Sequence, residues 1–158
     1  MQLPIGSNHK SDIRFGIGRR IAHSPYESTL SVESQLKLKE LYRYIDICRT
    51  LLSEIRINLS LYESNPEDAS PLQRASELLE SFCFEADSWG FNSLYEIGLG
   101  LQMLLISPGK RLKSEVLWDT VSRGLDLLSV LLQQCETDFR WRLAIADMLD
   151  SINQVARH

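Results

Sequence analysis

Chemistry near neutral pH usually turns on histidine, and this 158-residue chain has three. His9 and His23 fall in an irregular N-terminal stretch and His158 is the last residue; none shares a helix face with a carboxylate, thiol or hydroxyl in a triad-like arrangement. As a metal pair, His9 and His23 lack the neighbouring carboxylates or thiols that would complete a shell. Two carboxylate pairs have helical spacing: Glu77 with Glu80 one turn on, and Glu80 with Asp87 two turns on. Di-iron bundles use inward-facing Glu together with Glu-x-x-His. That tetrad is absent, and these acids avoid the apolar positions, so they read as a solvated face. Cys48, Cys83 and Cys135 are odd in number and contain no C-x-x-C, which argues against a zinc site or a secreted disulfide framework. They read as small buried side chains within apolar helical patterns. Gly16-Ile17-Gly18 follows no strand and lacks the third glycine of a phosphate-binding loop. No cofactor, metal or enzymatic activity is expected. An enzyme would have to use Glu77, Glu80, Asp87 or Cys83 in a concave pocket.

The elements that would position these groups follow from composition and periodicity. At 44% hydrophobic and 24% charged, the chain is long enough for one packed domain without metals or disulfides. Its net charge of −4 argues against a nucleic-acid partner, which needs a basic surface. In residues 1–30, Lys10, Arg14, Arg19 and Arg20 outnumber Asp12 and Glu27, so a mildly basic arm precedes an acidic domain over 31–158. Pro4, Gly6, Gly16, Gly18 and Pro25 break every candidate element in the arm, which is expected to be flexible. No signal peptide stands out, and the most apolar run, 99–106, is far too short for a membrane span. The expected location is the cytoplasm.

From Val32 onward, apolar residues recur in steps of three and four, the mark of amphipathic helices. Leu38, Leu41, Ile45, Cys48, Leu52, Ile55 and Leu59 form the first stripe. Ser70-Pro71 offers an N-cap with Pro at the first helical position, and Gln73 stands where a capping box takes Glu or Gln. Leu72, Ala75, Leu79, Phe82, Ala86 and Trp89 form the second stripe, and Gly90 suits the residue past a helix C-terminus. Leu94, Ile97, Leu101 and Leu104 form the third, closed by Ser107-Pro108-Gly109. A fourth opens at Ser114 with Leu117, Val121, Leu125, Leu128, Leu131 and Leu132. Thr137-Asp138 is expected to cap a fifth, with Trp141, Ile145, Met148, Ile152 and Val155 facing inward. The fold class is therefore all-α, an antiparallel up-down four-helix bundle with an additional C-terminal helix. Trp89, Trp118 and Trp141 read as rim packing, whereas Phe84 falls on the polar face of Ser76, Glu80 and Asp87, where an exposed ring can mark a binding surface.

The run Trp89-Gly90-Phe91, then Leu94-Tyr95-Glu96-Ile97-Gly98 with Leu101, Leu104 and Leu105, resembles the turn and third helix of histidine-containing phosphotransfer domains. The segment Arg123-Gly124-Leu125-Asp126-Leu127-Leu128 is similar to the fourth helix of chemotaxis-kinase versions. The likeness covers roughly residues 33–135. It implies a four-helix bundle that meets receiver domains or histidine kinases of bacterial two-component signalling. Counting back from Gly90, the resemblance puts Glu80 at the phosphoacceptor position, Cys83 at the family's Lys and Phe84 at its Gly. All three family residues are missing, which implies a degenerate copy that docks without relaying phosphate, over Ser76, Glu80, Cys83, Phe84 and Asp87. The alternative is a structural or adaptor bundle acting through homo-oligomerisation, with the fifth helix as the dimer interface.

Overall fold

The computed structural model describes residues 30–106 and 115–157. The arm expected over 1–30, except for Leu30, lies outside them, as do the three histidines and the break expected at 107–114. Four helices carry the described chain: α1 (Val32–Ser64), α2 (Ser70–Ser88), α3 (Asn92–Ile106) and α4 (Glu115–Ala156). No strand occurs among the described residues. Neighbours in sequence are neighbours in space, and α4 closes the ring by packing on α1 as well as α3. Three side-chain pairs fix α1 and α4 as antiparallel: Ser34 with Asp147, Arg49 with Glu136, and Arg56 with Asp126.

The stripes read from the sequence meet in one core. Leu41, Ile45, Cys48 and Ile55 of α1, Leu79 and Phe82 of α2, Leu94 of α3, and Leu125, Leu128 and Leu132 of α4 are all fully buried. Each large apolar side chain so buried stabilises the fold by about 1.5–3 kcal/mol. Two helical glycines let the layers close. A Cβ at Gly98 would lie 2.8 Å from Cys83 Sγ and 3.3 Å from Phe82 Cδ1, and one at Gly124 would lie 2.6 Å from Leu101 Cδ2. Gly90 serves a different need, a backbone φ of +70°. Its N–H donates to Asp87 O and the Phe91 N–H to Ala86 O, both at 2.9 Å, so the last carbonyls of α2 are satisfied as the chain reverses.

The N-terminus of α2 differs from the sequence expectation. Ser70 is the first helical residue and Ala69 the N-cap, so Ser70 does not cap. The Asp68 carboxylate accepts the Ser70 N–H instead, at 3.0 Å. Gln73 donates forward to Glu77 at 3.3 Å, so no capping box forms.

The larger correction concerns the expected fifth helix. It is the uninterrupted continuation of α4, which holds neither Gly nor Pro beyond Gly124. The Thr137 hydroxyl donates back to Gln133 O at 3.3 Å, so this residue satisfies itself within a helix rather than starting one. The stripe expected to face inward is exposed: Trp141 58%, Ile145 56%, Met148 62%, Ile152 54% and Val155 77%. The core row of α4 instead continues from Leu132 through Phe139 to Leu143, and Ile145 stands two residues further on, across the helix.

Four-helix packing ends at an aromatic cluster. Tyr44 of α1 lies 5.2 Å from Trp89 and 5.5 Å from Phe91 of the α2–α3 turn, and Trp89 lies 5.8 Å from Phe139 of α4. Burial pushes the Tyr44 hydroxyl's pKa up, with the Cys48 thiol nearby as a lesser cause. Past this cluster the first turns of α1 and the end of α4 run on together. There Asp147 accepts from the Ser31 N–H at 2.6 Å, the Ser31 hydroxyl at 3.0 Å and the Ser34 hydroxyl at 2.8 Å. Ser31 in turn caps α1 by accepting the Ser34 N–H at 3.2 Å. The carboxylate of one helix thus braces the N-cap of another.

Two predictions follow from this packing. Gly98→Ala should lower stability by about 1 kcal/mol, because overpacking outweighs alanine's helix preference. Gly100→Ala, where an added Cβ meets nothing within 4 Å, should raise it by about 0.5–1 kcal/mol. Urea titration of both variants checks the pair. The hydrogen bond from the Ser31 N–H, the largest of several, holds the Asp147 pKa below its ordinary 3.8. Its contribution is therefore complete above about pH 4 and is lost as pH falls through the lower folded-state value. Asp147→Ala should cost about 1 kcal/mol at pH 7, and the difference from wild type should shrink in melts at pH 3.

Candidate docking site

The outward face of α2 is built by its own periodicity. Ala75, Leu79, Phe82 and Ala86 are buried, which turns Glu80, Phe84 and Asp87 to solvent. Phe84 is 73% exposed, the largest exposure of any aromatic ring among the described residues. Ser76 is half-buried at the edge of this face. Cys83 does not belong to it: the side chain is 5% exposed, packs against Gly98, and its thiol donates to Tyr95 O at 3.8 Å. Burial, with Glu80 nearby as a second cause, pushes the Cys83 pKa up to about 11, so the thiol stays protonated and unreactive at neutral pH. The sequence placed it by counting along the helix. Its true direction depends on where α3 sits.

On α3 the surface gains residues that the sequence reading passed over. Gly98 faces α2, while Leu101 meets Gly124 of α4. The row on the α2 side of Gly98 holds Tyr95 and Gln102, and one step further out lie Leu99 and Ile106. Leu99 is 37% exposed and Ile106 60%. Apolar residues exposed at a step of seven were a readable signal, but in a helix this leucine-rich they could equally have been core. The outward face of α2 thus carries two carboxylates and one ring, and α3 exposes two aliphatic side chains of its own.

The other acids do not assemble into a centre. Glu77 is held by Gln73 at 3.3 Å and by Arg74 at 3.5 Å along its own helix. No histidine lies among the described residues, and among them no group of three or more His, Cys, Asp or Glu is placed to hold a metal ion. Cys48 is fully buried against Tyr44, and burial pushes its pKa up to about 11. Among the described residues no helix is long and apolar enough to cross a membrane.

No protein-family model matches the chain, and neither does any curated protein. Among solved structures it is similar to the CheA phosphotransferase domain from Thermotoga maritima, with 22% identity and a TM-score of 0.56. That likeness covers 62% of this chain and 95% of the domain. The chain has the helical-bundle fold of a phosphotransferase domain.

Proposed function

We propose that this chain is a pseudo-phosphotransfer module of bacterial two-component signalling, which docks a receiver domain or a histidine kinase in the cytoplasm and relays no phosphate. One observation supports this above others. Glu80, at the position that the resemblance, counted back from Gly90, gives to the phosphoacceptor, is exposed on α2 with Phe84 one turn beyond it. Phosphotransfer through such a site needs an imidazole nitrogen as nucleophile, and a carboxylate cannot form the phosphoramidate. A cation one turn on would steady the phosphoryl charge; here that position is the buried, neutral Cys83. Phe84 stands where a glycine would leave room for a receiver's active site, and it offers an apolar anchor instead. Around a single exposed ring, binding energy concentrates in few residues. Glu80 and Asp87 then supply the polar edge, and Leu99 and Ile106 widen the apolar part.

The test is titration calorimetry against purified receiver and kinase domains of the same organism. Phe84→Asp should weaken binding at least about tenfold with helicity unchanged, equivalent to about 1.4 kcal/mol. Unchanged affinity would move the contact off α2. A phosphorylated receiver should leave no label on the wild-type chain; label that accumulates there would overturn the non-catalytic reading.

A further inference from the structure

We propose that the outer face of α4 is the interface of an antiparallel homodimer, in which the C-terminal halves of two α4 helices pair about a two-fold axis beside Met148. This surface is separate from the one on α2, so the two proposals stand or fall independently.

The helix itself specifies a seam. Trp141, Ile145, Met148, Ile152 and Val155 recur at alternating steps of four and three, the spacing of a two-stranded coiled coil. Every one of them is more than half exposed, as is Leu149 beside them at 54%. A groove of about 390 Å³ runs along this face, lined by Leu30, Trp141, Ile145, Met148 and Leu149 among others. The exposed apolar surface of the six α4 residues is on the order of 600 Å² per chain, approaching the ~800 Å² per partner of a standard protein interface. Apolar residues scattered over a monomer's surface do not line up in this way. The seam bears no charge at any of its five positions.

Position along the fold favours a second copy in the antiparallel sense. The seam lies beyond the aromatic cluster at Phe139, on residues 140–156, about 25 Å of helix that extends past four-helix packing. Antiparallel overlap of two such extensions leaves the bundle bodies at opposite ends, where they do not collide. It also sets Trp141 against the partner's Val155 and Ile145 against the partner's Ile152, so the bulkiest side chain meets the smallest. Ala144 and Ser151 flank the seam and allow close approach, while Leu149 lies near the axis and adds apolar contact. A parallel pair would stack two tryptophans. Its seam would also continue back through Asp138, opposing two like charges at one level.

Light scattering on the full chain across the micromolar range tests the pairing. The expected mass is twice the 18.1 kDa of one chain. Ile145→Glu and Ile152→Glu, both at exposed positions, should each halve it with the circular dichroism unchanged. A wild-type mass of one chain would overturn the proposal, including the case in which residues 1–29 cover the stripe within the same molecule. A dimer that survives both substitutions would place the interface elsewhere and overturn it too. Orientation is read by cross-linking. Under mild oxidation, with the wild-type chain as control for its native thiols, Met148→Cys should link two chains and Val155→Cys should not. Efficient linkage through Val155→Cys would overturn the antiparallel arrangement.

Discussion

Helices pack at distances set by what stands between them, and here two absent side chains permit close approach. Gly98 lets α3 settle on Phe82 and Cys83 of α2, and Gly124 lets α4 settle on Leu101 of α3. With the α2–α3 and α3–α4 contacts drawn in, Leu94, Leu125 and Leu128 reach the centre and are fully buried. The close approach also decides which way neighbouring residues point. Because Gly98 receives Cys83, that thiol is sealed in, and of the face expected on α2 only Glu80, Phe84 and Asp87 are exposed. A packing constraint inside the bundle thus determines the composition of the surface outside it.

The ends of the bundle obey a second constraint, the satisfaction of helix termini. Gly90 supplies the positive φ that lets the Phe91 and Gly90 N–H groups return to the last turn of α2. That reversal delivers Trp89 and Phe91 to Tyr44 and Phe139, which close one end with aromatic contacts. At the far end of the α1–α4 extension, Asp147 takes the N-terminal donors of α1. A charge-assisted hydrogen bond of this kind orients two long helices where little apolar contact remains to do so. The ion pairs between the same helices, Arg49 with the largely buried Glu136 and Arg56 with Asp126, agree with that register, and the more exposed Arg56–Asp126 pair adds little stability.

The likeness to the CheA phosphotransferase domain is a likeness of fold. Bundle architecture and site chemistry are separable because the core stripes and the outward face occupy different rows of the same helices. On α2 the inward row of Ala75, Leu79, Phe82 and Ala86 builds the bundle, while the outward row carries Glu80, Phe84 and Asp87.

The helical class, the inner stripes of α1 and α2, the turn at Gly90 and the outward setting of Glu80 and Asp87 were all readable along the chain. Each depends on contacts within a turn or two, which spacing encodes directly. Cys83 reads from the sequence both as a small buried side chain and as part of the docking face, because it sits at the border of the α2 stripe; only the position of α3 decides for burial. Leu99 and Ile106 were missed for the converse reason: apolar residues in an apolar helix reveal nothing about which row finds a partner. The C-terminal stripe shows the same limit most plainly. Its spacing established that Trp141, Ile145, Met148, Ile152 and Val155 share a face. The tertiary structure decided that the face lies outside the bundle core, because α4 runs unbroken past the end of four-helix packing, and a helix that turns one row to the core must turn the opposite row away.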